Sequence, residues 1–335
     1  MIPVSVITGY LGSGKTTILK KLLANPDYCD TAVIINEFGE IGLDHDLIET
    51  SDEDLVTLKT GCLCCKMRGD LGETLDGLLA RREAGEISSF KRVIIETSGV
   101  ADPVPILQGL MVDPSTIQNF QLERVITAVD AVSGANTIKR EPEAAKQIAV
   151  ADRLVLTKTD LADAENNNLA SLVRELNPST EHVAASYGEI APSVLFADHQ
   201  QATPSSRLEF LQSIGNGPIS AADHTSGAIS TFALVRDQPI PAVALTLFLE
   251  ALADHCGEGL LRLKGLVQIE ENMEQPAVIH GVQHVFHPPT WLEQWPSQDQ
   301  RTRMVFIGRN LSEEWVHALL RAIEREVREF AEHHD

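Results

Sequence analysis

Short runs of β-branched and aliphatic residues recur along the first half of the chain, at Pro3–Thr8, Thr31–Ile35, Leu55–Leu58, Arg92–Glu96, Leu122–Val129 and Arg153–Thr157. Between several of them the apolar spacing turns helical, which predicts helices over Gly14–Ala24, Arg68–Arg82, Val104–Leu110, Glu143–Ala151 and Ala162–Leu176. Pro26, Pro103, Pro142 and Pro178 punctuate these segments, as expected of a residue that cannot donate a backbone hydrogen bond. Strands alternating with helices predict an α/β domain built on a mostly parallel sheet with helices on both faces.

From Ala197 to Gly227 the texture changes to Gln, Ser, Pro, Gly, Asp and His, with one short apolar patch at Leu208–Ile214. Beyond it the pattern predicts strands at Ala228–Val235, Leu261–Glu270, Ala277–Phe286 and Arg303–Ile307, with helices at Pro241–His255 and Ser312–Phe330. The expected organisation is an α/β domain over 1–200, a linker over 201–226 and a smaller α+β domain over 227–335. A chain of 335 residues, 43% hydrophobic, is long enough for two such cores.

A formal net charge of -21 would repel nucleic acid and anionic membrane over most of the surface, so neither is an expected partner. No apolar run approaches the ~20 residues of a membrane span, and Ile2–Thr8 is too short for a signal-peptide core, so a cytoplasmic location is expected.

Candidate chemistry begins at Gly9-Tyr10-Leu11-Gly12-Ser13-Gly14-Lys15-Thr16, a full G-x-x-x-x-G-K-[ST] match placed after a predicted strand and before a predicted helix. Gly9, Gly12 and Gly14 let the loop, Ser13 included, turn its N–H groups inward, and the helix that follows sets its positive end under the phosphates. Lys15 would reach the β- and γ-phosphates, and Thr16 would give its hydroxyl to Mg²⁺. At the end of another strand, Glu96-Thr97-Ser98-Gly99 puts an acid where it can face Mg²⁺ or its waters, with the Gly99 N–H near the γ-phosphate.

Thr157-Lys158-Thr159-Asp160 nearly matches the N-K-x-D guanine pattern. A carboxylate at Asp160 can accept from the N1–H and exocyclic amine of guanine, a donor pair that adenine lacks on that edge. Lys158 would lay its stem over the base or reach the ribose side. Thr157 replaces the usual Asn, which puts the hydrogen bonds of Asn to base and phosphate loop in question. Ala185-Ser186 is a candidate for the other wall.

Cys62-Leu63-Cys64-Cys65 lies between a predicted strand and a predicted helix. On a turn it could aim two or three thiolates at one ion, and thiolates favour Zn²⁺, Cu(I) or Co²⁺ over Mg²⁺. Glu37 is the nearest plausible oxygen donor to complete the set. The spacing suits neither a disulfide nor a Cys-x-x-Cys redox pair. His280, His284 and His287 form a second cluster, read as polar residues of a half-exposed strand or as a secondary zinc site.

Taken together, Gly9–Thr17, Ile35-Asn36-Glu37-Phe38-Gly39, Gly61-Cys62-Leu63-Cys64-Cys65, Glu96-Thr97-Ser98-Gly99 and Thr157-Lys158-Thr159-Asp160 resemble the CobW-like metallochaperone GTPases. Arg262-Leu263-Lys264-Gly265 and Phe306-Ile307-Gly308 resemble that family's C-terminal domain. The resemblance implies a P-loop GTPase that binds GTP with Mg²⁺, Thr17 included in the nucleotide site, and hydrolyses it slowly with Lys15, Glu96 and Gly99 at the reacting phosphate. It also implies transfer of a transition metal to an apo-metalloprotein client, with Cys62, Cys64 and Cys65 as ligands or their alternates and Glu37 close by. Zinc is the expected metal; Co²⁺ for cobalamin synthesis and iron for nitrile hydratase are the family's other uses. The family's His-rich tract is absent, which disfavours metal storage. A metal-responsive switch or buffer is the competing expectation, a regulatory GTPase with structural zinc a third, and self-association into a homo-oligomer is left open.

Overall fold

The structure is a computed structural model that describes residues 1–36, 48–51, 55–58, 63–66, 70–161, 167–178, 180–196 and 229–333. Contacts divide the chain into two compact units, Met1–Val173 with Thr180–Asp198, and Arg174–Ser179 with His199–Asp335. The expected linker over 201–226 lies outside the described residues.

In the first unit β1 (Ile2–Thr8) leads through the glycine loop into α1 (Lys15–Leu23), then β2 (Thr31–Asn36), β3 (Ile48–Ser51), β4 (Leu55–Leu58) and β5 (Leu63–Lys66). The chain continues through α2 (Leu71–Glu83), β6 (Arg92–Thr97), α3 (Val104–Val112), α4 (Pro114–Asn119), β7 (Phe120–Asp130), α5 (Gly134–Arg140) and α6 (Pro142–Ala149). It ends with β8 (Arg153–Thr157), α7 (Asn167–Leu176), β9 (Glu181–Ala185) and α8 (Pro192–Phe196). The nine strands form one sheet in the order β3-β4-β5-β2-β6-β1-β7-β8-β9. The run from β5 to β9 is parallel throughout, and β4 and β3 extend one edge antiparallel. β1, β2, β6 and β7 read as near-continuous buried runs because they are covered on both faces. On one face α1 buries Ile18, Leu19, Leu22 and Leu23 against Ile7, Val33, Ile94 and Ile126. Lys20 and Lys21 in its last turn suit the negative end of the helix dipole.

Three strands of this sheet depart from the local pattern: β3, β5 and β9. Cys64 and Cys65 occupy consecutive positions of strand β5, not the expected turn; β5 forms because its backbone pairs with β2 on one side and β4 on the other, a long-range pairing that no local pattern reveals. Glu181–Ala185, for which no strand is predicted, is an edge strand paired with β8.

The second unit contains β10 (Ile229–Arg236), α9 (Ala242–Cys256), β11 (Leu260–Ile269), β12 (Asn272–Val282), β13 (Val285–Phe286), β14 (Thr290–Trp291), β15 (Thr302–Arg309) and α10 (Glu313–Glu332). Its antiparallel sheet runs β10-β15-β11-β12-β13, with β14 added to β12. Phe306 stacks on Phe232 with centroids 5.0 Å apart and meets Phe248 of α9 edge-on at 6.4 Å. Val316 and Leu320 of α10 join the same core. The fold is thus an α/β domain with a mostly parallel sheet plus a smaller α+β domain.

The histidine run is a hairpin, not one strand. β12 ends at Val282, Gln283 takes a left-handed φ of 53°, and β13 returns, with the His287 N–H donating to the His280 carbonyl at 3.0 Å. His280 and His284 therefore do not share a strand face, and among the described residues no three His, Cys, Asp or Glu side chains gather around a common point.

Near β15, Asp299 accepts from Arg301 Nε at 2.9 Å and from Arg303 Nη1 at 2.9 Å. The Arg301 side-chain hydrogen bond, then the Arg301 N–H and the Arg303 charge, outweigh partial burial and hold its carboxyl down at about 2. A carboxyl depressed by folding stabilises the fold above its unfolded value of about 4 and loses that contribution as pH falls toward 2. Because 34% of the side chain is in solvent, the effect is discounted to about 1 kcal/mol. Asp299→Asn is expected to lower unfolding stability by about that amount at pH 7. Chemical denaturation at pH 7 and at pH 2 checks this, the two proteins converging at the lower pH.

Candidate functional site

In a parallel sheet the strands release their chains at one edge, where ligands bind at the crevice between diverging connections. Here β6, β1, β7 and β8 are successive neighbours, so the segments after Glu96, Thr8, Asp130 and Thr157 emerge side by side.

The glycine loop occupies the centre. Gly9, Gly12 and Gly14 have φ of 141°, 72° and 91°, all in the region that disfavours side chains. A Cβ on Gly9 would also lie 2.3 Å from the Ala128 carbonyl oxygen, so the loop closes on β7 only with glycine there. Gly14 is the residue before α1, whose first turn carries no acidic side chain to compete with an anion. Lys15 is 7% exposed, and its ammonium donates to the Gly9 carbonyl at 2.9 Å and the Tyr10 carbonyl at 3.3 Å, so the cation stays within the loop. Ser13 is buried and Thr17 exposed, with Gly188 packed on the Thr17 backbone.

Thr16 Oγ1 donates to Glu96 Oε1 at 2.6 Å, bringing together the hydroxyl and the carboxylate named as candidate Mg²⁺ partners. Glu96 is 2% exposed, and the oxygen donors of this pair suit a hard divalent cation. Beyond Glu96, Thr97 Oγ1 donates to Thr8 Oγ1 at 2.8 Å and ties the two strand ends together. Gly99 then lies against the phosphate loop, where a Cβ would come within 2.7 Å of the Leu11 side chain and 2.8 Å of its nitrogen.

On the far side of the loop, Thr157 Oγ1 donates to the Ser13 carbonyl at 2.7 Å, and its methyl group lies beside Gly14. Threonine in place of asparagine thus keeps a link to the phosphate loop, since a hydroxyl at this position reaches it. Lys158, held at φ 55°, donates its ammonium to Asp130 Oδ2 at 2.7 Å instead of standing free for a ribose. Burial pushes the Asp130 carboxyl up, but Lys158 and the Val132 and Ser133 N–H groups outweigh it and leave the group below the usual carboxylate range. No motif singles out Asp130, although it ends an apolar strand much as Glu96 does. Asp160 is exposed. Thr159 Oγ1 lies 3.0 Å from Ser186 Oγ, which brings the Ala185-Ser186 segment up to the guanine-type motif.

Glu37 and Cys62 lie outside the described residues, and Cys64 and Cys65 are placed by their backbone register. β2 has β5 on one side, pairing Ile34 with Cys65, and β6 on the other, pairing Ile35 with Glu96. The strand β2 ends at Asn36, one residue before Glu37.

Comparison with known proteins agrees with this layout. Residues 3–184 match the model of the CobW/HypB/UreG nucleotide-binding domain, and residues 229–324 match that of the cobalamin synthesis protein CobW C-terminal domain. The chain is 31% identical to the zinc chaperone YjiA of Escherichia coli, covering 95% of this chain and 97% of that protein. It is 29% identical to the zinc chaperone CobW of Pseudomonas aeruginosa, over 93% of this chain and 88% of that one. The crystal structure of the Zn(II)-bound YjiA GTPase superposes with a TM-score of 0.73 at 30% identity, covering 96% of this chain and 98% of the other. Two family models that meet the two halves of the chain, and full-length relatives at this identity, leave one assignment: the chain belongs to the CobW/HypB-like family of P-loop GTPase metallochaperones.

Proposed function

We propose that this protein binds and hydrolyses GTP and uses the nucleotide to control a thiolate site, drawn from Cys62, Cys64 and Cys65 as ligands or their alternates with Glu37 close by, from which zinc passes to an apo-metalloprotein client. The observation that carries the proposal is the position of β2 between Glu96 and Cys65. Neighbouring strands lie about 4.8 Å apart, so the backbone beside the phosphate loop and the backbone of the thiol run are separated by about two strand spacings, ~10 Å. A single strand, ending one residue before Glu37, joins them.

The chain's own groups account for the nucleotide side. Gly9 to Gly14 present N–H groups to the phosphates, Lys15 transfers its ammonium from the loop carbonyls to the β- and γ-phosphate oxygens, and Asp160 accepts from guanine. Thr16 and Glu96 would hold Mg²⁺, which when bound neutralises charge between the β- and γ-phosphates. Gly99 offers its N–H at the γ-phosphate side, and loss of that phosphate releases the segment. On the metal side, Cys62, Cys64 and Cys65, as ligands or their alternates, supply soft donors that favour zinc, and Glu37 a hard one to complete the set, the choice among thiolates leaving the site open to exchange. That relatives of full length are zinc chaperones supports zinc over cobalt or iron.

Titrating Zn²⁺, Co²⁺ and Fe²⁺ against the protein with GDP and with a non-hydrolysable GTP analogue tests this. Zinc is expected to bind tightest, and about tenfold tighter with the analogue; by linkage, zinc must then tighten analogue binding by the same factor. Equal zinc affinities in the two nucleotide states would sink the proposal. Replacing Cys64 and Cys65 by serine should remove zinc binding and leave the unfolding temperature unchanged, whereas a structural zinc would take the fold with it.

A further inference from the structure

The segment after Glu96 is held by a helix that no motif singles out. Gln147 of α6 is 1% exposed, and its amide nitrogen donates to two carbonyls of that segment, Gly99 at 3.3 Å and Ala101 at 3.0 Å. Two acceptors on one atom fix which end of the amide is nitrogen. Its neighbour Lys146 forms an ion pair with Asp102, whose other carboxylate oxygen accepts from Val104 N at 3.0 Å at the start of α3. Two consecutive residues of α6 therefore hold the whole stretch from Gly99 to Val104.

The helix is itself fastened to the nucleotide-binding side of the sheet. The Gln147 carbonyl accepts from Thr127 Oγ1 at 2.8 Å, and Thr127 pairs with Thr8, the last residue before the phosphate loop. At the other end of α6, burial first and the nearby Glu141 carboxylate second hold the Tyr10 hydroxyl of that loop above its usual range. Gly99 is thus pressed between Leu11 of the phosphate loop on one side and the Gln147 amide on the other.

Gln147 Oε1 is buried without a protein hydrogen-bond partner, and Gln147 and Ser13 both border a small open-sided pocket beside the phosphate loop. The nitrogen end, with its two carbonyl acceptors, is the part of the side chain that acts on the Gly99 turn.

We infer that Gln147 is a positioning residue for the γ-phosphate response: it holds the Gly99 turn against the phosphate loop, and so sets the preference of the protein for triphosphate over diphosphate nucleotides. The inference rests on the proposed GTP reading. A diphosphate makes no demand on Gly99, so only triphosphate binding draws on its placement. The turn fixed by Gln147 also runs on through Val100 and Asp102, so any movement of Gly99 away from the loop must break these bonds or carry α6 with it.

The test uses the full chain with fluorescent GDP and a fluorescent non-hydrolysable GTP analogue, comparing wild type with Gln147→Leu and Gln147→Glu. Leucine removes both hydrogen bonds; glutamate keeps the shape but turns a carboxylate on two carbonyls. Both variants are expected to lose about tenfold in affinity for the analogue, about 1.4 kcal/mol, with GDP affinity changed less than about twofold. Leaving the buried Gly99 carbonyl without its donor should lower the unfolding temperature of the nucleotide-free Gln147→Leu protein modestly, so affinities are compared at a temperature where every variant is folded. Equal losses for the two nucleotides, or no loss for either, overturn the inference while the GTP reading stands. A wild-type protein that binds neither nucleotide overturns both.

Discussion

Lys15→Ala is expected to weaken GTP binding by roughly 100-fold or more, about 2.7 kcal/mol or greater, without unfolding the protein. The ammonium is the side-chain cation of the phosphate loop, and hydrogen bonds to charged groups contribute about 1.5 to 3 kcal/mol each. With two phosphates contacted, the loss exceeds that of any single neutral hydrogen bond. The same geometry predicts little cost to the fold. Lys15 is buried at 7% exposure and donates to the carbonyls of Gly9 and Tyr10. Taking its charge out of water opposes folding, and alanine relieves that cost as it removes the two hydrogen bonds. Isothermal titration with GTP, paired with a thermal melt in the absence of nucleotide, separates the two effects. A melt lowered by about 10 °C, the loss of about 3 to 5 kcal/mol, would mark Lys15 as structural and remove phosphate binding as the reason for its burial.

Asp160→Asn is expected to cost GTP roughly 100-fold in affinity and to improve xanthosine triphosphate by a comparable factor. A carboxylate offers two acceptors to the N1–H and amine of guanine. An amide turns one of them into a donor, which leaves the guanine amine facing another donor but suits the carbonyl that xanthine carries in its place. The framework around the residue supports a local effect. Lys158 is anchored on Asp130 at 2.7 Å, Thr157 on the Ser13 carbonyl at 2.7 Å, and Thr159 lies 3.0 Å from Ser186, whereas Asp160 itself is exposed. Competition of GTP, XTP and ATP against a fluorescent guanine nucleotide measures the change. Unaltered GTP affinity in the variant would show that Asp160 does not read the base.

How much of the candidate site is legible in the chain depends on how local its physics is. The loop from Gly9 to Thr16 is governed by backbone sterics within eight positions, so its glycines, lysine and threonine announce themselves. Glu96, Gly99 and Asp160 stand out for a related reason, since each follows an apolar strand within a short recognisable pattern. The contacts that assemble these residues leave no such mark. Thr16 meets Glu96, Thr157 meets Ser13 and Lys158 meets Asp130 across 80, 144 and 28 positions. Gln147 gives no signal at all, because one glutamine in an amphipathic helix looks like any solvated polar residue until its burial is known.

Short-range backbone preferences and side-chain chemistry are enough to write into the chain its alternation of strands and helices, the phosphate loop, the guanine-type motif and a thiol-rich segment. The order of the strands is another matter, and with it the placement of Cys65 and Glu96 on either side of β2. Folding also made strand β5 of an expected cysteine turn and a hairpin of an expected histidine strand. Strand pairing is settled by which partners bury and hydrogen-bond each edge, a choice made between distant parts of the chain that no local stretch of residues can announce.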